Sequence, residues 1–165
     1  WIGPRLDSLE QAQLGNGRVI TIFISNLVNN EPLVLVNGGK QKRSFTYLDD
    51  GIEALIKIIT SENENTINRI FNIGNPSNSI SIKEVADIMI TEYEKLFPEK
   101  FTAGTVTKTQ DDFYNKNYED IIVRVPDISE ARTLLDWVPS TNVTDSISLT
   151  LKKYLDDHFM NLTTR

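Results

Sequence analysis

Apolar residues recur at Ile20, Phe23, Ile24, Leu27 and Val28 in RVITIFISNLVNN, a helical spacing that Asn29, Asn30 and Pro32 bring to an end. PLVLVNGG follows as a short β-branched strand closed by Asn-Gly, and KRSFTYL is expected to pair with it as a second strand. From Tyr47 onward, Leu48, Ile52, Leu55, Ile56 and Ile59 mark one face of a helix. After a polar loop, RIFNIGNPSN reads as a buried strand through Ile70, Phe71 and Ile73, ending in a Gly-Asn-Pro turn. ISIKEVADIMITEYEKLF then carries Ile82, Val85, Met89, Tyr93 and Leu96 along one helical face behind a capping box of Ser81 and Glu84. FTAGTVTK predicts a short strand.

TQDDFYNKNYEDIIVRVP is polar, aromatic and irregular, the character of a loop that in a compact domain is either functional or disordered. A second capping box, Asp127 to Glu130, is expected to open the helix ISEARTLLDW. A break at Trp137-Val138-Pro139 precedes a last helix from about Thr144 to His158. These elements predict a mixed α/β fold, richer in helix than in sheet, with too few strands for a complete nucleotide-binding sheet.

Composition narrows the function. At 165 residues the chain is one domain in size, with 17 Lys and Arg against 23 Asp and Glu. A net charge of −6 speaks against non-specific nucleic-acid binding. The absence of cysteine excludes disulfides and thiolate metal sites and fits a reducing compartment. Apolar runs fall short of a membrane span, and the opening WIGPRLD lacks a basic-then-apolar leader, so a cytoplasmic setting is expected. That opening also reads as the continuation of a segment under way, from which a piece of a longer protein is expected.

Against the acidic background, Lys40, Gln41, Lys42 and Arg43 cluster just past Gly38-Gly39. The cluster is either a solvated loop or a clamp for phosphate or carboxylate, in which glycine lets the backbone approach and Arg43 offers a planar fork of donors. Arg124, in IIVRVPD, is either laid along the surface or aimed into a site by Val125-Pro126. Tyr114 and Tyr118 suit sugar or base contacts but are also ordinary loop anchors. The pairs Asp49-Asp50, Asp111-Asp112 and Asp156-Asp157 lack calcium-loop spacing and read as structural. With His158 as the single histidine, placed on the surface, no metal site or histidine-based triad is expected.

In their order along the chain, GPR, the first amphipathic helix, PLVLVNGG, QKRSFTYLDDGIEAL, IFNIGNP, SIKEVADIM and DISEARTLLDWVPSTNVTDSISLTLKKYL resemble the C-terminal half of an extended short-chain dehydrogenase/reductase acting on nucleotide sugars. RLDSLEQAQLGNGR and GGKQKRSFT look most like the UDP-glucuronate decarboxylase domain of bifunctional polymyxin-resistance proteins, which modify lipid A. DDFYNKNYEDIIVRVPD resembles its substrate loop. The resemblance implies that residues 1–165 form the substrate-binding lobe of a Rossmann-type enzyme. The main dinucleotide-binding sheet would be largely absent, and NAD would be bound mainly by a missing N-terminal half. It implies a UDP-sugar substrate, a homo-oligomer as intact protein, phosphates facing Arg43, Val34 beside the uracil, and further substrate contacts from Arg18 and Tyr118. Arg124 matches the proton-donating arginine of the decarboxylation; the alternatives are the lobe of a nucleotide-sugar epimerase, dehydratase or UDP-xylose synthase, or a nucleotide-sugar-binding module without chemistry. The family's glycine-rich loop and its Tyr-x-x-x-Lys pair are not found in this sequence, which is therefore expected not to turn over alone.

Overall fold

The structure, a computed structural model, describes residues 1–110 and 121–163. Helix α1 (Leu9–Gln13) is short and capped by Ser8, whose hydroxyl accepts from the Gln11 amide; hydrophobic periodicity alone does not reveal it. Helix α2 (Val19–Val28) follows, and buries Ile20, Phe23, Ile24 and Leu27, as their spacing predicts. Strand β1 (Leu33–Val36) leads into a turn at Asn37–Gly39 and then strand β2 (Lys42–Ser44). Helix α3 (Leu48–Ile59), strand β3 (Ser79–Ser81) and helix α4 (Ile82–Leu96) come next. Strand β4 (Thr105–Lys108), strand β5 (Val123–Arg124), helix α5 (Ser129–Leu135) and helix α6 (Val143–Thr163) complete the order.

Helix α4 starts where the capping box places it. The Ser81 hydroxyl accepts from the Glu84 amide at 3.1 Å, and the Glu84 carboxylate accepts from the Ser81 amide at 2.8 Å. Helix α6 begins with a comparable exchange: the Asp145 amide donates to Asn142 Oδ1 at 2.9 Å, and Asn142 Nδ2 returns to the Asp145 carboxylate. The inner faces of α2, α4 and α6 meet over β1 in the main core, around Phe23, Leu33, Val85, Met89, Ile147 and Leu151. A smaller core of Ala54, Ile128, Ala131, Leu135 and Trp137 joins α3 to α5.

Four expectations are corrected. Strand β2 does not pair with β1. It lies between β3, antiparallel, and β5, parallel, while β1 pairs in parallel with β4. The Asn37–Gly39 turn sends the chain from one small sheet to the other instead of folding it into a hairpin. Residues 70–73 form no strand, because among the described residues no neighbouring strand pairs with them; the Ile73 carbonyl accepts instead from Trp1 Nε1 at 3.4 Å. Ile70 is exposed, and Phe71 and Ile73 pack on the smaller core.

Asp127 and Glu130 make no capping box. The Asp127 carboxylate accepts from the amide and hydroxyl of Ser129, the N-cap is Ile128, and Glu130 lies 3.7 Å from Arg69. Finally, α3 turns its polar and small side inward. Asp50, Gly51 and Ala54 are buried, while Ile52, Leu55, Ile56 and Ile59 are 41 to 81% exposed. A Cβ at Gly51 would come within 2.8 Å of the Trp1 ring, so the absence of a side chain there admits the indole.

Candidate functional site

The basic cluster begins in a turn that only small or amide residues tolerate. Asn37, Gly38 and Gly39 have φ of 49°, 74° and 67°, three successive left-handed residues. Asn37 is held by Gln110, which donates its amide to Asn37 Oδ1 at 3.1 Å and accepts from Asn37 Nδ2 at 3.3 Å. Gly39 lies against α4, where a Cβ would stand 2.8 Å from the Lys83 amide nitrogen. The turn is thereby locked between β4 and the start of α4, and it delivers Lys40, Gln41, Lys42 and Arg43 into β2. The Gln41 carbonyl accepts from the Ile82 amide at 3.0 Å, which ties the cluster to the same helix start. Lys40 and Lys42 are exposed and form no ion pair among the described residues.

The register of β2 and β5 then brings together two arginines far apart in the sequence. Lys42 pairs with Val123 and Arg43 with Arg124. Register partners on adjacent parallel strands stand on the same face, with the strands about 4.8 Å apart. Arg43 Nη1 donates to the carbonyls of Lys42 (2.8 Å) and Ile121 (2.7 Å), which fixes its guanidinium across the sheet. Arg124 is exposed.

The other sequence-predicted positions lie elsewhere. Val34 is half-buried in β1, opposite Val106 of β4, in the two-stranded sheet. Arg18 is the N-cap of α2 and is engaged with Asp7: Nε donates to Oδ2 at 2.8 Å and Nη2 to Oδ1 at 3.0 Å, while Nη1 reaches the Trp1 carbonyl at 3.0 Å. This fork holds the Asp7 carboxyl below the usual range, against the opposing effect of burial, and raises Arg18 in turn. Thr21 adds a 2.9 Å hydroxyl bond to Asp7, and the Tyr154 hydroxyl donates to the Asp7 carbonyl while accepting from its amide. Sequence reading missed Asp7 and Tyr154, since nothing in their local pattern links residues on α6 to the segment before α1. Tyr114, Tyr118 and the Asp111-Asp112 pair lie outside the described residues.

Asp50 is structural, as its place at the start of α3 suggests. Its buried carboxylate accepts from the amides and hydroxyls of both Ser140 and Thr141. Among the described residues no group of three or more acidic or histidine side chains could hold a metal ion, and no helix is long and apolar enough to cross a membrane. These residues do not make a cradle for a dinucleotide either. The Gly38-Gly39 turn runs into a strand rather than a helix N-terminus, so the arrangement that binds a pyrophosphate is not built from it.

Helices over two small sheets make a helix-rich α/β fold that matches part of the Rossmann-type extended short-chain dehydrogenase/reductase fold. Residues 1–74, which include Arg18, Val34 and the whole Lys40–Arg43 cluster, match the model of the NAD dependent epimerase/dehydratase family. The chain is 38% identical to the PbgP3 protein from Burkholderia pseudomallei, with a TM-score of 0.73 over 93% of this chain and 43% of that one. Two further solved structures share the fold. UDP-glucuronic acid 4-epimerase from Bacillus cereus, in complex with UDP-glucuronic acid and NAD, is 23% identical, with a TM-score of 0.66 over 84% of this chain and 40% of its own. UDP-glucose 4-epimerase from Thermotoga maritima, with UDP-glucose, is 19% identical, with a TM-score of 0.68 over 94% of this chain and 43% of its own. This chain spans about two fifths of the length of these solved chains.

Proposed function

We propose that residues 1–165 are the substrate-binding lobe of an NAD-dependent UDP-glucuronate decarboxylase, resembling the dehydrogenase domain of the bifunctional polymyxin-resistance protein ArnA. The observation that carries the reading is the pairing of Arg43 with Arg124 beside Lys42. UDP-glucuronate brings a diphosphate and a carboxylate, and two arginines on adjacent strands beside a lysine supply cations for both. A longer protein is part of the proposal. It is supported by the coverage of the solved chains and by the apolar face of α3, which the described residues leave uncovered. The remainder would bind NAD and complete a cytoplasmic homo-oligomer.

NAD+ supplies the oxidation at C4 of the sugar, and the residues of this chain act on the β-keto acid that results. Arg43 and Lys42 hold the diphosphate, the Asn37–Gly39 turn lets the backbone close on the nucleotide, Val34 lies beside the uracil, and Arg18 and Tyr118 make further contacts. Arg124 orients the C6 carboxylate. The C5–C6 bond breaks, CO2 leaves, and the electron pair moves into an enolate spanning C4 and C5 that the guanidinium stabilises. Protonation at C5 gives the UDP-4-keto-pentose. Arg124 is the proposed donor, acting through its position against C5.

The experiment incubates the full-length protein with NAD+ and UDP-glucuronate and follows NADH and CO2 together, with Arg124→Met and a UDP-glucose control in parallel. NADH and CO2 from UDP-glucuronate alone, with CO2 lost in the variant, is the expected result. Turnover without CO2 would replace the proposal with an epimerase or dehydratase, the activity that the fold match to UDP-glucuronic acid 4-epimerase favours as a second reading.

A further inference from the structure

Strand β5 carries Arg124 yet has almost nothing apolar to anchor it. Ile121, Ile122, Val123 and Val125 are 50 to 73% exposed, so burial does not set where the strand lies. Its N-terminal end is held to β2 by the ladder bond from the Lys42 amide to the Ile122 carbonyl and by Arg43 Nη1 on the Ile121 carbonyl, and from Arg124 onward three further attachments act. The Ser44 hydroxyl donates to the carbonyl of Arg124 itself at 3.1 Å. Asn72 Nδ2 donates to the Asp127 carbonyl, also at 3.1 Å. Between them, the Pro126 ring lies against Gly74 so closely that a Cβ on Gly74 would stand 2.6 Å from its Cγ.

Pro126 also holds Val125 extended, so a shift at the ring is passed along a stiff backbone to Arg124. Ser44 sits on β2 next to Arg43, and the same strand therefore sets both guanidinium groups. Gly74 is buried and fixed from the other side, since the neighbouring Asn75 amide donates to Thr46 Oγ1 at 2.9 Å.

We infer that Ser44, Asn72 and Gly74 are positioning residues that hold the Val123–Asp127 segment and so aim Arg124 at the carboxylate of the substrate. This rests on the decarboxylase reading and adds the parts that make Arg124 effective. Loss of CO2 requires the guanidinium at one place on the sugar, whereas the oxidation at C4 does not use it. Variants in the clamp therefore slow one step and spare the other.

The test uses the full-length protein in single turnovers with UDP-glucuronate and NAD+, timing NADH formation and CO2 release separately. Hydrogen exchange of the 121–127 amides is measured on the same samples. Ser44→Ala and Asn72→Ala are each expected to slow CO2 release about tenfold, and Gly74→Ala about a hundredfold, the cost of displacing a catalytic group by roughly 1 Å. NADH formation stays at the wild-type rate, exchange in 121–127 accelerates, and Ser44→Thr, which keeps the hydroxyl, restores CO2 release. Should Gly74→Ala fail to fold, the exposed Asn72 and half-buried Ser44 carry the test alone. Wild-type CO2 release in both, or an equal slowing of both steps, overturns the clamp while Arg124→Met still reports on the decarboxylase reading. Full CO2 release by Arg124→Met overturns both.

Discussion

Asp50 makes the sharpest test of how this fold is held together. Its carboxylate is buried and takes four hydrogen bonds: from the Ser140 amide (3.3 Å) and hydroxyl (3.1 Å) and from the Thr141 amide (3.1 Å) and hydroxyl (3.0 Å). Its own carbonyl accepts from Trp137 Nε1 at 3.0 Å. Thr141 passes the connection on, because its carbonyl accepts from the side-chain amides of Asn75 and Asn78, and Asn78 also reaches the Phe45 carbonyl next to β2. Asp50→Ala leaves two amides and two hydroxyls without their acceptor. The hydroxyls can rotate to other partners, whereas the amides cannot, and each stranded amide costs about 1–3 kcal/mol. The expected loss is about 3–5 kcal/mol in total, in the range found for breaking a buried charged contact.

Asp50→Asn separates charge from shape. Three of the four bonds converge on Oδ1, so the amide oxygen settles there and turns its NH2 toward the Thr141 amide, donor against donor. One bond is lost and one repulsion gained, for about 2 kcal/mol. Urea unfolding followed by tryptophan fluorescence reads both, since Trp137 is fully buried beside the site. Equal losses for the two variants, or a loss below about 1 kcal/mol for Asp50→Ala, would refute the reasoning by showing that Ser140 and Thr141 find water when the carboxylate is removed.

Two further outcomes follow from the basic turn and from Asp7. Gly39→Ala combines a φ of 67° with a 2.8 Å approach to the Lys83 amide, so it costs about 2 kcal/mol or more and, on the proposed function, weakens binding of the nucleotide sugar by displacing Lys40–Arg43; unchanged denaturant midpoint and affinity would contradict it. The Asp7 carboxyl is held below its ordinary value by Arg18, so its contribution is complete above the unfolded pKa and is lost as pH falls through the folded one. The stability gap between wild type and Asp7→Asn should therefore close on acidification from pH 6 to below about pH 3, as read by denaturation at each pH. A gap that widened there would assign the opposite sign to the pair.

What the sequence determined by itself is local. The spacing of Ile20, Phe23, Ile24 and Leu27 and the exchange between Ser81 and Glu84 involve residues within a turn or two of each other, so α2 and α4 could be read directly. The basic cluster was also legible, because Asn-Gly-Gly tolerates the left-handed backbone of a tight turn and its cations stand out from an acidic chain. What only the tertiary structure decided is partnership. Whether KRS pairs with the preceding strand or with residues around 80 and 123 depends on where the helices send the chain, and a three-residue strand carries no pattern that names its neighbour. The same holds for α3. Its apolar stripe predicts a buried face, yet the small side at Gly51 and Ala54 fits against Trp1 and the smaller core, while Asp50 is drawn inward by Ser140 and Thr141. The pairing of Arg43 with Arg124 is of this kind too. Each arginine has a solvated reading alone, and only the β2–β5 register places Arg43 and Arg124 opposite each other on adjacent strands.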